Sequence, residues 1–419
     1  MPSGGANPSG GALSSGGAEA SGGAPTSGGE SSSGGSAPID CAPSDSCVDF
    51  TTVQQEIDGF GAASVGNGLL STAVLDASFS NDTNQQMGLS VLRVEIVVGG
   101  ESDWETEKSN AINAKARGVQ TVMATPWSPP ASMKTNGSTV SGELRTDAYA
   151  DYAAYLKSFY DYMDGAVDII SVQNEPNVRV DYISTDWNAD QLLNFTRDYA
   201  QDIGAPFMMP ETFNFDTSYS DPTLNDPTAE SHVSYIGLHL YGAQMKTYSL
   251  AVEKNKKIWM TEYFYNGEDI GTLMQMAKNI MDCLDHEMNA YVWWFLAVPD
   301  CNLVTDSGAL QNKAYIMAQF SKFIRPGSHR VGVAFEAQSG VYVQAFDGPK
   351  HVIVALNQNN SSKTQTFTIS RGTFANAHQY TTSNSKKLSD EGAVNVTNGS
   401  FTVTLDAQSL TTFVADGSG

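Results

Sequence analysis

Cysteine, histidine and positive charge are all scarce in this chain. Its 419 residues hold four cysteines and six histidines, and 23 Lys plus Arg stand against 46 Asp plus Glu, a formal charge of −23. The shortage of cations excludes a nucleic-acid binder, because a phosphate backbone needs clustered Lys and Arg. No stretch of about 20 uninterrupted apolar residues occurs, so no helical membrane span is expected. No Cys-x-x-Cys pair occurs, which argues against a zinc site; neither metal nor cofactor is expected. What is present, 41% hydrophobic residues over this length, is enough for one large domain and a smaller one.

The first 40 residues read differently from the rest. Residues 1–38 hold 12 of the 38 glycines and almost no large apolar side chain. Such a Gly/Ser/Ala/Pro tract cannot bury enough surface to offset its ordering entropy, so a flexible linker is expected over 1–40. It lacks the basic start and apolar core of a signal peptide. Linkers of this kind join secreted catalytic domains to other modules, so a secreted, extracellular monomer tethered to such modules is expected. The four cysteines permit three pairings. A local bond between Cys41 and Cys47 is the favoured one, and Cys283–Cys301, bracketing a strand, the weaker candidate.

From Ile57 to Phe323 short apolar runs alternate with helical stretches. Eight strand candidates start near residues 57, 89, 119, 168, 206, 233, 257 and 290. Alternation of this kind implies parallel strands joined by crossover helices, and the count and length match a (β/α)8 TIM barrel over 57–323. A doubly wound open sheet is the rival, disfavoured because no glycine-rich phosphate loop follows the first strand in the usual spacing. After Pro326 the pattern becomes apolar–polar alternation between turns, an antiparallel β-sandwich signature over 324–416. The alternating segment 48–56 is expected to add a strand to that side domain.

A barrel carries its active site at the C-terminal ends of its strands. The fourth strand ends in 173-QNEPN and the seventh in 261-TEY, which places Glu175 and Glu262 at that rim. Two carboxylates from separate strands facing one cleft are what a retaining glycosidase needs. A lone Glu on a loop is ordinarily a solvated charge; two at matching strand ends in apolar runs are not. Trp127, Tyr241 and Trp293 offer flat faces on which pyranose rings stack, although aromatics at strand ends also serve as core packing, and one of Trp293 and Trp294 must do so. Asn174 is placed to donate to a sugar 2-hydroxyl. Arg93 is expected to hold Glu262 ionised, with an ion pair to Glu95 as the alternative, and Tyr241 to donate to the same carboxylate. His239 either lines the cleft or is a hydrogen-bonded core residue.

The segments 58-DGFGA, 91-VLRVEI, 124-ATPWSPPASMKTNG, 171-SVQNEPN, 210-PET, 239-HLYG, 261-TEY, 291-YVWWF and 318-AQFSKFIRPG together resemble glycoside hydrolase family 30. The similarity spans about Val48 to Val414 and is greatest to the bacterial xylanase subfamily that includes glucuronoxylanases. It implies a barrel with a side sandwich built from both chain ends. It also implies retaining endo-cleavage of the β-1,4-xylan backbone, with Glu175 as acid/base and Glu262 as nucleophile. The sequence departs from that pattern in the loop after strand eight, 295-FLAVPDCNLVTDSG, which has no Arg or Lys to clamp a glucuronate. The aromatic residue expected after strand one is missing from 62-AASVGNGLLS. Glu268, Asp269, Asp300 and Asp306 are expected to add negative charge above the cleft. A xylanase that does not require glucuronate side groups follows. The alternatives are a glucuronate-dependent enzyme, an exo-acting xylobiohydrolase, another β-glycanase on the same scaffold, and a non-catalytic polysaccharide-binding protein.

Overall fold

The computed structural model describes residues 39–299 and 301–417; most of the expected linker and Asp300 lie outside the described residues. The first strand, β1, runs from Ser46 to Ile57. Eight parallel strands follow: β2 (Gly59–Ala63), β3 (Val91–Glu95), β4 (Thr121–Thr125), β5 (Ile169–Ser171), β6 (Phe207–Thr212), β7 (Tyr235–His239), β8 (Lys257–Tyr263) and β9 (Ala290–Trp293). They close into a barrel in which β2 pairs with β9, with Gly59 opposite Ala290.

These strands are apolar on both faces because neither face meets water. Val91, Met123, Ile169, Met208, Trp259, Ala290 and Val292 fill the floor of the barrel as one cluster. Their alternates, such as Leu92, Val94, Val122, Ile170 and Met209, pack outward in the main core. Helices Glu101–Lys115, Tyr149–Met163, Ala189–Tyr199, Ile270–Asp285 and Asn312–Ser321 cover that outer face. Two glycines make room where a side chain would not fit. A Cβ on Gly61 would lie 2.4 Å from the Val91 carbonyl oxygen, and one on Gly237 would lie 2.6 Å from the Glu211 Cγ. The second vacancy admits a carboxylate to the barrel interior.

The side domain comprises β10 (Ser328–Gly332), β11 (Glu336–Gln338), β12 (Val341–Asp347), β13 (Lys350–Asn357), β14 (Lys363–Arg371), β15 (His378–Thr382), β16 (Ser389–Ala393), β17 (Ser400–Leu405) and β18 (Ser409–Asp416). With β1 they form one ten-stranded sheet, ordered β16-β15-β18-β13-β12-β10-β1-β14-β17 with β11 on β12. Period-2 alternation gives its central strands two apolar faces. Val352, Val354 and Leu356 of β13 join the core of the barrel, whereas Ile353 and Ala355 join a second core with Val48, Phe367, Phe401 and Phe413. The Phe413 ring centre lies 5.2 Å from those of both Phe367 and Phe401, so the sheet folds back over its own second face.

The expectation of an antiparallel sandwich needs one correction. β1 is antiparallel to β10 but parallel to β14, with Ser46 opposite Phe367. Strand direction is set by local turns only for neighbours in sequence, and β1 and β14 are more than 300 residues apart. Cys41 and Cys47, beside the start of β1, form a disulfide with a Cα–Cα distance of 5.8 Å. Cys283 is a buried thiol in helix Ile270–Asp285 and is not bonded to Cys301. Among the described residues no helix is long and apolar enough to cross a membrane.

Candidate active site

The barrel floor is apolar, but one step along several strands the interior turns polar. On β3, Val91 belongs to the floor, Arg93 comes next on the same side, and Glu95 ends the strand. Arg93 is fully buried and must spend its donors on protein groups. Its Nη1 lies 2.5 Å from Glu262 Oε2, and its Nη2 donates to Asn174 Oδ1 at 2.7 Å. The same Nη2 lies 3.2 Å from Glu211 Oε2, and Nε donates to Thr125 Oγ1 at 3.4 Å. The alternative ion pair with Glu95 is not formed.

Glu262 accepts on both oxygens, from Arg93 and from the Tyr241 hydroxyl at 3.0 Å. Glu175 is held by one, Oε1, at 2.8 Å from His239 Nδ1. His239 is fully buried, with Nε2 3.5 Å from Glu211 Oε2 and 3.9 Å from Glu262 Oε2, outside good hydrogen-bonding range but close enough to pair charges. Both Glu175 (φ 45°) and Glu211 (φ 52°) adopt left-handed backbone conformations that cost a non-glycine residue about 1 kcal/mol or more. The Glu175 N–H donates to the Glu211 carbonyl at 3.1 Å, so the two strained residues support each other.

Burial sets the titration of this cluster against its charges. Desolvation alone would raise Glu211, but Arg93 and then His239 outweigh it and hold the carboxyl at about 2. Desolvation would lower His239, and the surrounding Glu262, Glu175 and Glu211 instead push it up to about 9. His239 is therefore an imidazolium at neutral pH. Burial and the adjacent Glu262 charge together hold the Tyr241 hydroxyl far above its ordinary range, so it remains a donor.

A pH prediction follows from His239. Its folded value near 9 lies above the ordinary 6.5, so its contribution to stability is fully present below about pH 6.5 and is lost as pH rises through about 9. Urea denaturation from pH 6 to 9.5 should show His239→Gln less stable than the wild type at pH 6, with the gap closing by pH 9.5. A gap that does not change with pH would sink this reading. Glu107, pushed up to about 8 mainly by burial, imposes its own decline with pH on both proteins and drops out of the difference.

Above the cluster opens a cavity of about 610 Å³ lined by Val65, Glu95, Trp127, Asn174, Glu175, Tyr182, Ile183, Phe213, Tyr241, Glu262, Phe264 and Trp294. Trp127 and Trp294 stack with ring centres 5.8 Å apart, and Arg93 lies beneath both rings. Glu175, Glu262, Asn174, Trp127 and Tyr241 thus meet in one place. Trp293 does not. It is fully buried in the outer core, and its Nε1 donates to the Cys301 carbonyl at 2.6 Å. The last residue of β9 continues the strand alternation, Val292 inward and Trp293 outward, so Trp294 is the residue that turns into the cleft.

Three of the acids expected above the cleft also fall elsewhere. Glu268 accepts from the Asn312 and Lys313 backbone N–H groups and pairs with Lys313 Nζ at 3.1 Å, capping helix Asn312–Ser321. Asp269 caps helix Ile270–Asp285 through the Thr272 N–H, and Asp306 is exposed away from the cavity lining. Asp300 lies outside the described residues.

Among the described residues, Glu175, His239 and Glu262 alone could hold a metal: one ligand atom from each falls within 4.8 Å of the others. A cation there would have to displace the His239 proton and the Arg93 guanidinium, so the donor set suits proton chemistry better.

No family model matches the chain. Its similarity to individual proteins is extensive. It is 35% identical over 396 residues to glucuronoxylanase XynC of Bacillus subtilis, covering 89% of this chain and 92% of that protein. The chain belongs to glycoside hydrolase family 30. The structure of the family 30 subfamily 8 xylanase Xyn30A from Clostridium acetobutylicum superposes on this glycoside hydrolase with a TM-score of 0.85 at 41% identity, covering 89% of this chain and all of that one. A family 30 endoxylanase from Clostridium papyrosolvens gives 0.83 at 38% identity over the same shares. Barrel and side domain in this glycoside hydrolase are thus the family's.

Sequence reasoning missed Glu211, Tyr182, Phe213 and Phe264, and named Glu95 only as an alternative partner of Arg93. Glu211 sits in 210-PET, where nothing in the sequence announces the kink that points it inward. The other four lie at strand ends or on loops whose partners are distant in sequence.

Proposed function

We propose that this glycoside hydrolase is a retaining endo-β-1,4-xylanase that does not require glucuronate side groups. The observation that carries the retaining step is the spacing of its two carboxylates. An oxygen of Glu175 and one of Glu262 lie within 4.8 Å of each other. Retaining enzymes hold their carboxyl groups about 5–5.5 Å apart, whereas inverting ones leave about 6.5–9.5 Å for a water.

The roles follow from hydrogen bonding. Glu262 accepts a donor on each oxygen, one of them from the Arg93 cation, which fixes its orientation and suits a nucleophile. Glu175 has one oxygen on His239 and one left for the leaving group. Glu262 attacks the anomeric carbon as the glycosidic C–O bond breaks, and the Glu175 proton passes to the departing oxygen. Glu175 then takes a proton from water, whose oxygen displaces Glu262 from the anomeric carbon. Asn174 accepts from Arg93 through Oδ1, leaving its amide N–H groups for a sugar hydroxyl.

Xylan as substrate is supported by the resemblance to enzymes named for it and by a cleft lined by the Trp127 and Trp294 rings. Independence from glucuronate is supported by the cavity lining, which contains no Lys or Arg. A substrate carboxylate would need such a partner, worth about 1.5–3 kcal/mol.

Hydrolysis of linear and glucuronate-branched xylo-oligosaccharides followed by NMR tests all three points. The β-anomer should appear first, internal bonds should be cut, and linear chains should react at least as fast as branched ones. Initial α-anomer, disaccharides released only from one chain end, or activity confined to branched chains would each refute the corresponding part.

A further inference from the structure

We propose that Glu95 is a substrate-binding residue, accepting hydrogen bonds from ring hydroxyls of a neutral pyranose held against Trp127 and Trp294 and disfavouring a ring that bears a carboxylate. The inference rests on the xylan reading above and assigns the wall of the cleft that the two catalytic carboxylates do not occupy.

Glu95 is where it is because strand alternation puts it on the side of Val91 and Arg93. Val91 lies in the floor, Arg93 in the carboxylate cluster, and Glu95 at the mouth of the cavity with Val65, Trp127 and Trp294. Among the described residues its carboxylate has neither a hydrogen-bond donor nor an ion-pair partner. Arg93, the nearest candidate in sequence, gives its guanidinium to Glu262, Asn174, Glu211 and Thr125. A half-buried carboxylate without donors is costly unless something arriving in the cleft supplies them.

What arrives must carry hydroxyl donors and a flat apolar face. The stacked Trp127–Trp294 pair supplies the complementary surface, and a carboxylate can take two vicinal hydroxyls at once. A metal is a poorer fit, because no second unpaired acid lines that wall. Glu107 lies close enough to feel the Glu95 charge, but it is buried, accepts from Ser64, and retains its proton at neutral pH, pushed up to about 8 by burial and then by Glu95. Burial raises Glu95 as well, but Arg93 opposes that shift, so the negative charge of the pair is placed on Glu95, facing the substrate. A glucuronate on the ring at this subsite would meet that charge with no cation in the cavity lining to offset it.

The test measures kcat/KM for wild type, Glu95→Ala and Glu95→Gln on linear xylotetraose and on a glucuronate-branched xylo-oligosaccharide, with thermal melting as the control for folding. Glu95→Ala should lower kcat/KM on the linear substrate roughly 10- to 100-fold. Glu95→Gln keeps the shape and one acceptor. It should lose only a few-fold on the linear substrate and shift the linear-to-branched ratio several-fold toward the branched one, a change that a purely structural role would not cause. If Glu95→Ala does not fold, the Glu95→Gln ratio decides. A wild type active on the linear substrate with both variants unchanged overturns this inference alone. A wild type inactive on both substrates overturns the xylan reading, and this inference with it.

Discussion

Glu262→Gln is expected to lower kcat on xylo-oligosaccharides by more than about 10⁴-fold while leaving the protein folded and able to bind substrate. The amide removes the nucleophile without changing the size of the side chain, and its oxygen can still accept from Arg93 or Tyr241. Isothermal titration with xylotetraose should therefore still report binding. Glu175→Gln separates the second role. It should be slow on xylan but lose far less on an aryl xyloside whose leaving group needs no proton. Added azide should restore turnover to Glu262→Ala, with an α-glycosyl azide as product, because the small anion attacks from the side the carboxylate occupied. A Glu262→Gln enzyme with more than a few per cent of wild-type activity, or an azide product of β configuration, would overturn the assignment.

Arg93→Met should cost about 3–5 kcal/mol of stability at pH 7, the largest effect expected from any single substitution here. Among the described residues the guanidinium is the one buried cation besides His239 in contact with Glu211 and Glu262, and Glu211 is wholly buried. Removing it leaves uncompensated negative charge where water cannot follow. The pH dependence has a definite sign. In the wild type the Glu211 carboxyl is held at about 2, below its ordinary 4.5, so its contribution is present above about pH 4.5 and is lost as pH falls through about 2. Without Arg93 that contribution disappears, so the variant should be closest to wild type in acid and furthest from it at pH 7. Arg93→Met/Glu211→Gln should recover part of the loss, because the second change removes the stranded charge. Urea midpoints across pH 3–7 measure this; a loss below about 1 kcal/mol at pH 7, or no recovery in the double variant, would refute it.

The barrel was legible in the sequence because each strand is a short apolar run bounded by turn residues, and because runs of helical period separate them. Glu175 and Glu262 were legible for the same reason: each is an acid closing such a run, and a closed barrel has only one rim at which strand ends can converge. Trp293 was misplaced by one residue. Whether the last strand residue or the first loop residue faces the cleft depends on where pairing stops, and β9 stops at Trp293. Glu268 and Asp269 were misread because composition locates charge along the chain, not the helix N-termini that absorb it.

By itself, then, the sequence determined the barrel, the presence of a β-rich side domain built with an early strand, and the two carboxylates, since all of these are written in local periodicity. Only the tertiary structure decided the partners of those carboxylates. Arg93 finds Glu262, Asn174 and Glu211 across 169, 81 and 118 positions of chain, and His239 finds Glu175 across 64. Such contacts are fixed by barrel closure and by left-handed backbone at Glu175 and Glu211, which short-range pattern does not encode. The same closure places Glu95 in the cleft and takes Glu268 out of it. The physical reason is that burial makes each charge depend on neighbours which only the closed barrel assembles.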